Sequence, residues 1–234
     1  MAIENHKKRA LDGQRPHWEK TYSENPDNFG ADPSDPAIKA ARLFKDQGVT
    51  NILELGGGQG RDTLFFAQNG FNAHVLDYSD TGVQAINNKA KALGLTQSIT
   101  ATQHDVRERL PFPDQAYDAC YSHMLYCMAL TTDELEFMSS EILRVLKPGG
   151  INIFTARNTN DSHYGQGIHR GEDIYEVNGF AVHFLSKAKI ERLAKGFEQI
   201  SVEEFEEGDL PRKLFYVVTK KPHLSEAHPQ SPLG

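Results

Sequence analysis

The chain has 234 residues, which suits one sizeable domain or two small ones, and its 38% hydrophobic and 24% charged residues are typical of a globular protein. Its 25 basic and 32 acidic residues give a formal net charge of −7. Because no run of more than three Lys and Arg residues is present, the composition argues against a nucleic-acid partner. Because no apolar stretch approaches ~20 residues, it also argues against a membrane span.

The N-terminal part is polar and rich in turn residues, and its pattern predicts two helices. The first lies around Trp18 and Tyr22, and an irregular stretch follows it. Ser34 predicts the start of a second helix, which Gly48 is placed to end. We therefore expect residues 1–48 to form a helical lid and a first helix ahead of the main domain.

From residue 51 onward, short apolar runs alternate with longer amphipathic stretches. The predicted strands are residues 51–55, 73–77, 99–105, 117–122 and 151–156, and the predicted helices are residues 61–69, 79–93 and 131–146. Thr131 and Glu134 have the spacing of a capping box at the start of the last of these helices. Short strands that alternate with helices of this length indicate βαβ units, a parallel sheet and helices on both faces.

The C-terminal third predicts a change of architecture. After a long polar segment, the pattern predicts a helix at residues 186–196 and two strands at residues 199–205 and 214–219. The predicted fold class is α/β: a single doubly wound, Rossmann-like domain whose seven-stranded sheet is mostly parallel and ends in an antiparallel C-terminal hairpin strand. We expect this domain at residues 49–221, with a loop insertion at residues 157–185 and a disordered tail at residues 222–234.

The most informative segment is the turn Glu-Leu-Gly-Gly-Gly-Gln-Gly at residues 54–60, which leaves a predicted strand and enters a predicted helix. Glycines there let a ligand approach the main chain, and the helix start offers free N–H groups. Arg61 stands where a dinucleotide site has its third glycine, and no Gly-Lys-Ser/Thr of a phosphate loop follows. Glu54 would repel pyrophosphate but can hold a cationic amino group. The alternative is a tight turn without a ligand.

At these residues the chain resembles the class I S-adenosylmethionine-dependent methyltransferases. The resemblance rests on residues 52–60, on Asp77 after the second strand, on residues 104–106 after the third, and on residues 143–150 before the fifth. Within the family, the chain looks most like small-molecule enzymes of the type 11 group, which includes the tellurite-resistance methyltransferases. The resemblance implies S-adenosylmethionine as the cofactor and S-adenosylhomocysteine as its product.

The resemblance also implies roles for individual residues. The positions that it assigns to the cofactor are Glu54, Gly56, Gly58, Gly60, Asp77, Tyr78, Asp105, Val106 and Ser122. Of these, Glu54 is expected near the amino group of the cofactor, Asp77 at the two ribose hydroxyls, and Asp105 at the adenine amino group. The alternatives are a helix-capping or turn role for Asp77 and a turn role for Asp105.

Ligands of open α/β sheets bind at the carboxyl ends of the strands, so the acceptor is expected there. The residues predicted on the substrate side are Trp18, Tyr22, Phe29, Arg157, His163, Tyr164 and His169. An anionic nucleophile needs no general base, whereas a hydroxyl or a protonated amine does. The predicted catalytic residues are His123 first, then His183, and Tyr126 beside them. The alternative for each histidine is a hydrogen-bonded structural role.

Several functions therefore stay open. The leading hypothesis is methyl transfer to a small thiol, amine, hydroxyl or chalcogen oxyanion. The alternatives are a protein or RNA methyltransferase and a non-catalytic, cofactor-binding regulatory subunit. No metal site is predicted, because His163 and His169 lack the spacing of ligands. Two cysteines, Cys120 and Cys127, exclude a disulfide framework and predict a cytoplasmic protein without membrane contact, whose oligomeric state the sequence leaves open.

One segment carries most of the net charge. Residues 198–210 contain six acidic residues and no Lys or Arg, against a net charge of −7 for the whole chain. The segment covers a predicted strand and its turn. We interpret it as a solvated edge that discourages unwanted strand pairing.

Overall fold

The structure is a computed structural model that describes residues 13–208 and 212–223. The main sheet contains β1 (Asn51–Leu55), β2 (Asn72–Asp77), β3 (Ile99–Gln103), β4 (Tyr117–Ser122), β5 (Leu146–Arg157), β9 (Glu198–Glu207) and β10 (Arg212–Lys220). A small sheet contains β6 (Ile168–Gly171), β7 (Ile174–Val177) and β8 (Phe180–His183). The helices are α1 (Gln14–Glu24), α2 (Asp35–Asp46), α3 (Arg61–Gln68), α4 (Asp80–Ala92), α5 (Thr132–Val145) and α6 (Lys187–Leu193).

The main sheet has the strand order β3-β2-β1-β4-β5-β10-β9. Strands β1 to β5 pair in parallel, whereas β10 is antiparallel to both of its neighbours, β5 and β9. The predicted fold class is thus confirmed, including the antiparallel C-terminal hairpin. The strand order reverses between β1 and β4, and in such sheets the crevice at the carboxyl ends beside the reversal is the ligand site.

The core has one layer on each face of the sheet because neighbouring side chains of a strand point to opposite faces. On β1, Ile52 packs in one cluster with Phe44 of α2 and Phe66 of α3. Leu53 and Leu55 pack on the other face, in a cluster that holds the apolar sides of α5 and α6. The alternation along β1 therefore fixes which helices cover which face.

The helix starts follow the capping residues that the sequence predicted. The Ser34 hydroxyl accepts a hydrogen bond from a backbone N–H of the first turn of α2, and Ser79 does the same for α4. Thr131 and Glu134 form the predicted capping box at the start of α5. These side chains satisfy N–H groups that a helix start leaves without partners.

The predicted loop insertion at residues 157–185 is wrong in part, because its second half forms the small antiparallel sheet. Two-residue turns with positive φ join its strands: Glu172 and Asp173 have φ of 58° and 67°, and Asn178 and Gly179 have φ of 53° and 81°. Turns with two left-handed residues match the twist of a hairpin. The strands are only four residues long, too short to give a clear alternation in the sequence.

Two further sequence predictions concern the ends of the chain. The predicted disordered tail lies outside the described residues from position 224 onward, as do the first 12 residues of the predicted lid segment. Within the described ranges, no helix combines the length and the apolar character needed to cross a membrane.

Gly60 precedes α3 and provides a test of the turn geometry. Its φ is +87°, and a Cβ there would lie 2.8 Å from Cγ1 of Ile86. We expect Gly60→Ala to cost ~1 kcal/mol of backbone strain and a further ~1–3 kcal/mol of overpacking. Gly70→Ala is the matched control, because Gly70 has a φ of +89° and nothing within 4 Å of its Cβ position. Urea unfolding should give G60A the lower midpoint, and equal midpoints would contradict the steric explanation.

Candidate functional site

A cavity of about 960 Å³ lies at the carboxyl edge of the main sheet, between the glycine turn, α1, the small sheet and the end of β9. The sequence-predicted residues that line it are Trp18, Tyr22, Phe29, Glu54, Gly56, Gly58, Asp77, Tyr78, Asp105, Val106, His123, Arg157 and His163. Those that do not line it are Gly60, Ser122, Tyr126, Tyr164, His169 and His183. The cavity therefore brings most of the predicted cofactor residues together but only one of the three predicted catalytic residues.

Asp77, at the end of β2, orders the glycine turn. Its Oδ2 accepts a hydrogen bond from the Gly58 N–H at 2.8 Å, and its Oδ1 accepts one from the Ser79 N–H at 2.8 Å. Burial raises the pKa of Asp77 to about 6, although these backbone hydrogen bonds oppose the rise. Each carboxylate oxygen has a second acceptor position, so the same group can also receive the two hydroxyls of a ribose.

Glu54, at the inner wall of the cavity, is a buried carboxyl, and no cation among the described residues lies at hydrogen-bond distance from it. Its Oε2 accepts a hydrogen bond from the Thr63 hydroxyl at 2.6 Å. Burial, and then the nearby carboxylate of Asp62, raise the pKa of Glu54 to about 8. A ligand ammonium group placed here would favour the ionised form of the carboxyl.

The third part of the cofactor side lies after β3. Asp105 is half-buried and is held by Arg107, whose Nη2 lies 2.6 Å from Oδ2. Burial acts to raise the pKa of Asp105, but the Arg107 hydrogen bonds outweigh it and lower the pKa. The preceding His104, to which the sequence analysis gave no site role, lines the cavity and has a buried Nε2 with no hydrogen-bond partner in the described part of the chain. An unpartnered ring nitrogen fits a ligand with hydrogen-bonding heterocyclic edges.

These three groups fit the three polar parts of S-adenosylmethionine. Glu54 suits its ammonium group, Asp77 its ribose hydroxyls, and the His104–Val106 segment its adenine. The glycine turn leaves the main chain open to such a ligand, because glycine has no side chain to intervene. A Cβ at Gly56 would also lie 3.2 Å from the Leu125 side chain. Two residues that were predicted to bind the cofactor do not line the cavity. Ser122 is fully buried outside it, and Gly60 is the N-cap of α3.

Helix α1 forms one wall of the cavity and is fastened at two points. The Gln14 side chain donates to the Gly179 carbonyl at 2.8 Å, which ties the helix to the small sheet. The Glu19 carboxylate accepts hydrogen bonds at the start of α4, including one from the Asp80 N–H at 2.8 Å. Between these contacts, Trp18 lines the cavity. The sequence analysis missed Gln14 and Glu19, because their partners lie far along the chain.

His123 follows β4 and lies between two polar groups. Its Nδ1 is 2.8 Å from the Thr155 hydroxyl, and its Nε2 is 3.3 Å from Oε1 of Glu207. Glu207 also lines the cavity, although it belongs to the acidic segment that the sequence analysis interpreted as a solvated edge. Residues 198–207 of that segment form the edge strand β9, where Glu203 pairs with Lys39.

His183 and Tyr126 require corrections as catalytic candidates. His183 is fully buried outside the cavity: its Nδ1 donates to the Leu130 carbonyl at 2.7 Å, and its Nε2 accepts from the Lys189 ammonium at 2.7 Å. Burial and the Lys189 charge lower the pKa of His183 to about 4, so the ring is neutral. Tyr126 is also fully buried, and its ring stacks on Phe154 at 3.9 Å. Both side chains have structural roles.

Two residues of the predicted substrate side also lie away from the cavity. The Tyr164 hydroxyl donates to Asp173 at 2.8 Å, and His169 stacks on Tyr175 at 4.8 Å between ring centroids. Both contacts stabilise the small sheet. By contrast, Arg157 and His163 reach the cavity together. Their positions are fixed by Asp161, which binds the Arg157 guanidinium at 2.5 Å and the His163 N–H at 2.9 Å.

Comparisons with known proteins agree with this geometry. Residues 52–150 match the family model described as "Methyltransferase domain". A sterol 24-C-methyltransferase from Pneumocystis carinii is 26% identical over 175 residues, which cover 70% of this chain and 44% of that protein. A demethylmenaquinone methyltransferase from Tropheryma whipplei is 34% identical over 108 residues, which cover 44% of this chain and 41% of that protein. The chain thus spans less than half the length of each of these relatives.

The fold is shared with a solved structure of 1,6-didemethyltoxoflavin-N1-methyltransferase from Burkholderia thailandensis, which has 1,6-didemethyltoxoflavin and S-adenosylhomocysteine bound. The TM-score is 0.72 at 15% identity, over 93% of this chain and 90% of that one. The family match, the strand order and the glycine turn all agree with the resemblance that the sequence motifs indicated. Residues 52–150 are therefore similar to a methyltransferase domain, and the chain shares the fold of solved S-adenosylmethionine-dependent methyltransferases.

Proposed function

We propose that this chain transfers the methyl group of S-adenosylmethionine to a small-molecule nucleophile. The observation that carries the proposal is one continuous cavity with a polar cofactor side around Glu54 and Asp77 and a second side that ends at His123. Ligand cavities usually measure ~300–1,000 Å³, so about 960 Å³ gives room for a cofactor and a second small molecule.

The walls of the cavity and the relatives support an acceptor of small size. Helix α1 and the small sheet form two walls that enclose the cavity. An enclosed site suits a small molecule better than a macromolecule. The two curated relatives are named for a sterol and for demethylmenaquinone, which are small organic acceptors. The acidic net charge of −7 gives no support to a nucleic-acid acceptor.

The residues of the chain contribute binding, alignment and exclusion of water. When bound, S-adenosylmethionine supplies a methyl group on a sulfonium sulfur, which is a good leaving group. Glu54 would bind the ammonium group of the cofactor, and Asp77 would bind its ribose hydroxyls. Trp18 and Phe29 cover the cavity with aromatic surface and limit the entry of water. Alignment of two reactants in a dry site is the main requirement of an in-line displacement.

Isothermal titration calorimetry tests the proposal. We expect one equivalent of S-adenosylhomocysteine to bind and NAD to give no heat of binding. Homocysteine release should then be measured with thiols, amines, phenols and chalcogen oxyanions as acceptors. Absence of S-adenosylhomocysteine binding, or tighter binding of NAD, would show the proposed function to be wrong.

A further inference from the structure

The acidic edge strand β9 places one carboxylate, that of Glu207, at the cavity. Strand β10 is antiparallel to both β5 and β9, so β9 runs in the same direction as β5. Its last residue, Glu207, therefore reaches the carboxyl edge of the sheet, where β4 ends next to His123. The Glu207 side chain lines the cavity and is 25% exposed, whereas its neighbour Glu206 points away and is exposed.

The contacts of His123 determine which group can take a proton. A carboxylate only accepts hydrogen bonds, so the His123 Nε2, 3.3 Å from Oε1 of Glu207, carries the ring proton. The Nδ1 lone pair then faces the Thr155 hydroxyl at 2.8 Å. That hydroxyl oxygen already accepts from the Met124 N–H at 2.9 Å, so its own proton is free to go to Nδ1. Both ring nitrogens are engaged, which leaves the Glu207 carboxylate as the basic group of this set that lines the cavity.

The charge of Glu207 is set by its neighbours. Burial acts to raise its pKa, but the hydrogen bond from His123 and nearby positive charges outweigh burial and hold the pKa below its ordinary value. Among the described residues, these charges include Arg61 at the start of α3 and Arg212 at the start of β10. Glu207 is thus a carboxylate at neutral pH.

The same cavity has an apolar wall. Met124, Leu125 and Met128 come from the segment after β4, Phe180 begins β8, and Phe184 follows β8. Such a wall binds an apolar or aromatic body by removing its surface from water. The Glu207 carboxylate disfavours an acceptor that is already anionic, because it offsets the guanidinium groups of Arg61 and Arg212, which would otherwise attract such an acceptor.

We propose, on the basis of the proposed methyl transfer, that the acceptor is an apolar, aromatic molecule with a neutral O–H or N–H nucleophile, and that Glu207 accepts its proton. His123 acts as a positioning residue. As the acceptor oxygen or nitrogen forms its bond to the methyl carbon, the electrons of the carbon–sulfur bond return to sulfur. The proton of the acceptor leaves for the Glu207 carboxylate, and its bonding electrons stay on the oxygen or nitrogen. Thiolates and chalcogen oxyanions have no such proton and are disfavoured by the carboxylate.

Binding of two probes to the protein saturated with S-adenosylhomocysteine tests this inference. The probes are 2-naphthol, which is neutral and protic, and 2-naphthalenesulfonate, which has the same ring but a permanent negative charge. Fluorescence titration should show 2-naphthol bound ~10-fold or more tightly than the sulfonate. Glu207→Gln should reduce this preference to ~3-fold or less by removing the negative charge, whereas the matched control Glu206→Gln should keep it.

A second variant separates positioning from a merely structural role. In His123→Asn, the partner of Glu207 Oε1 is lost, so the carboxylate keeps its charge but is no longer held in one position. The variant should therefore keep its preference for 2-naphthol over the sulfonate, whereas kcat for a phenol acceptor should fall ~10-fold with little change in KM. In the acceptor panel, any turnover should come from phenols or amines, and Glu207→Gln should lower it by ~100-fold.

The outcomes distinguish this inference from the proposed function. If S-adenosylhomocysteine does not bind to the wild-type protein, the proposed function itself is wrong. If it binds but 2-naphthol does not, or if the sulfonate binds equally well, the acceptor class is overturned. Unchanged preference in Glu207→Gln, the same loss in Glu206→Gln, or loss of S-adenosylhomocysteine affinity in Glu207→Gln would overturn the role of Glu207.

Discussion

Asp77→Ala should reduce the affinity for S-adenosylhomocysteine by about 100- to 1,000-fold. A hydrogen bond to a charged group contributes ~1.5–3 kcal/mol, and this carboxylate is placed to receive two from a ribose. The substitution also removes the acceptor that holds the Gly58 N–H, so the glycine turn loses part of its order. Calorimetric titration at neutral pH measures the loss. The affinity of Asp77→Asn, which keeps one acceptor oxygen, should lie between the affinities of the wild-type protein and of Asp77→Ala.

Asp118→Ala provides a matched control for this prediction. Asp118 also accepts backbone hydrogen bonds, from the N–H groups of Thr50 and Asn51, but it lies near the amino end of β4, away from the cavity. Its loss should lower stability and leave the affinity for S-adenosylhomocysteine within ~3-fold of wild type. An equal loss of affinity in both variants would mean that Asp77 acts only through the stability of the fold.

The cofactor side could be predicted from the sequence because its residues are local to strand ends. Glu54, Asp77 and Asp105 each lie within two residues of the end of a strand, and parallel strands bring such positions to one edge. The small sheet was missed, although the pair Asn178-Gly179 is a strong signal of a hairpin turn. Its four-residue strands gave too short an alternation to support that signal.

The substrate side depends on information that no local pattern contains. His123 follows β4 and His183 ends β8, so the two positions look alike in the sequence. In the structure, His183 differs because it is fully buried and its Nε2 contacts Lys189 outside the cavity. The place of Glu207 in the site could not be predicted, because it is one of six acidic residues in its segment and no local pattern distinguishes it from the others. Its approach to His123 follows from the direction of β9, which depends on the pairing of β10 with both neighbours.

Glu54→Gln should raise the stability of the ligand-free protein at alkaline pH. Burial raises the pKa of Glu54 from its ordinary value of 4.5 to about 8, so between these values folding takes up a proton. Stability from this group is therefore fully present below pH 4.5 and is lost as the pH rises through 8. A neutral glutamine has no such loss and can still accept from the Thr63 hydroxyl. At about pH 8.5 the thermal midpoint of the variant should exceed that of wild type by roughly 2–8 °C.

The same substitution should have the opposite effect on the ligand. A ligand ammonium group beside Glu54 favours the carboxylate, so S-adenosylhomocysteine should release a proton from the wild-type protein near pH 7 as it binds. Calorimetry in two buffers with different ionisation enthalpies measures this proton. Asp77, whose pKa is about 6, is present in both proteins and cancels in the comparison. Glu54→Gln should bind more weakly and release less proton. Replacement of a carboxyl that had a purely structural role would reduce the stability of the protein and its affinity for S-adenosylhomocysteine together. A gain of stability with a loss of affinity would therefore identify Glu54 as a ligand-binding group.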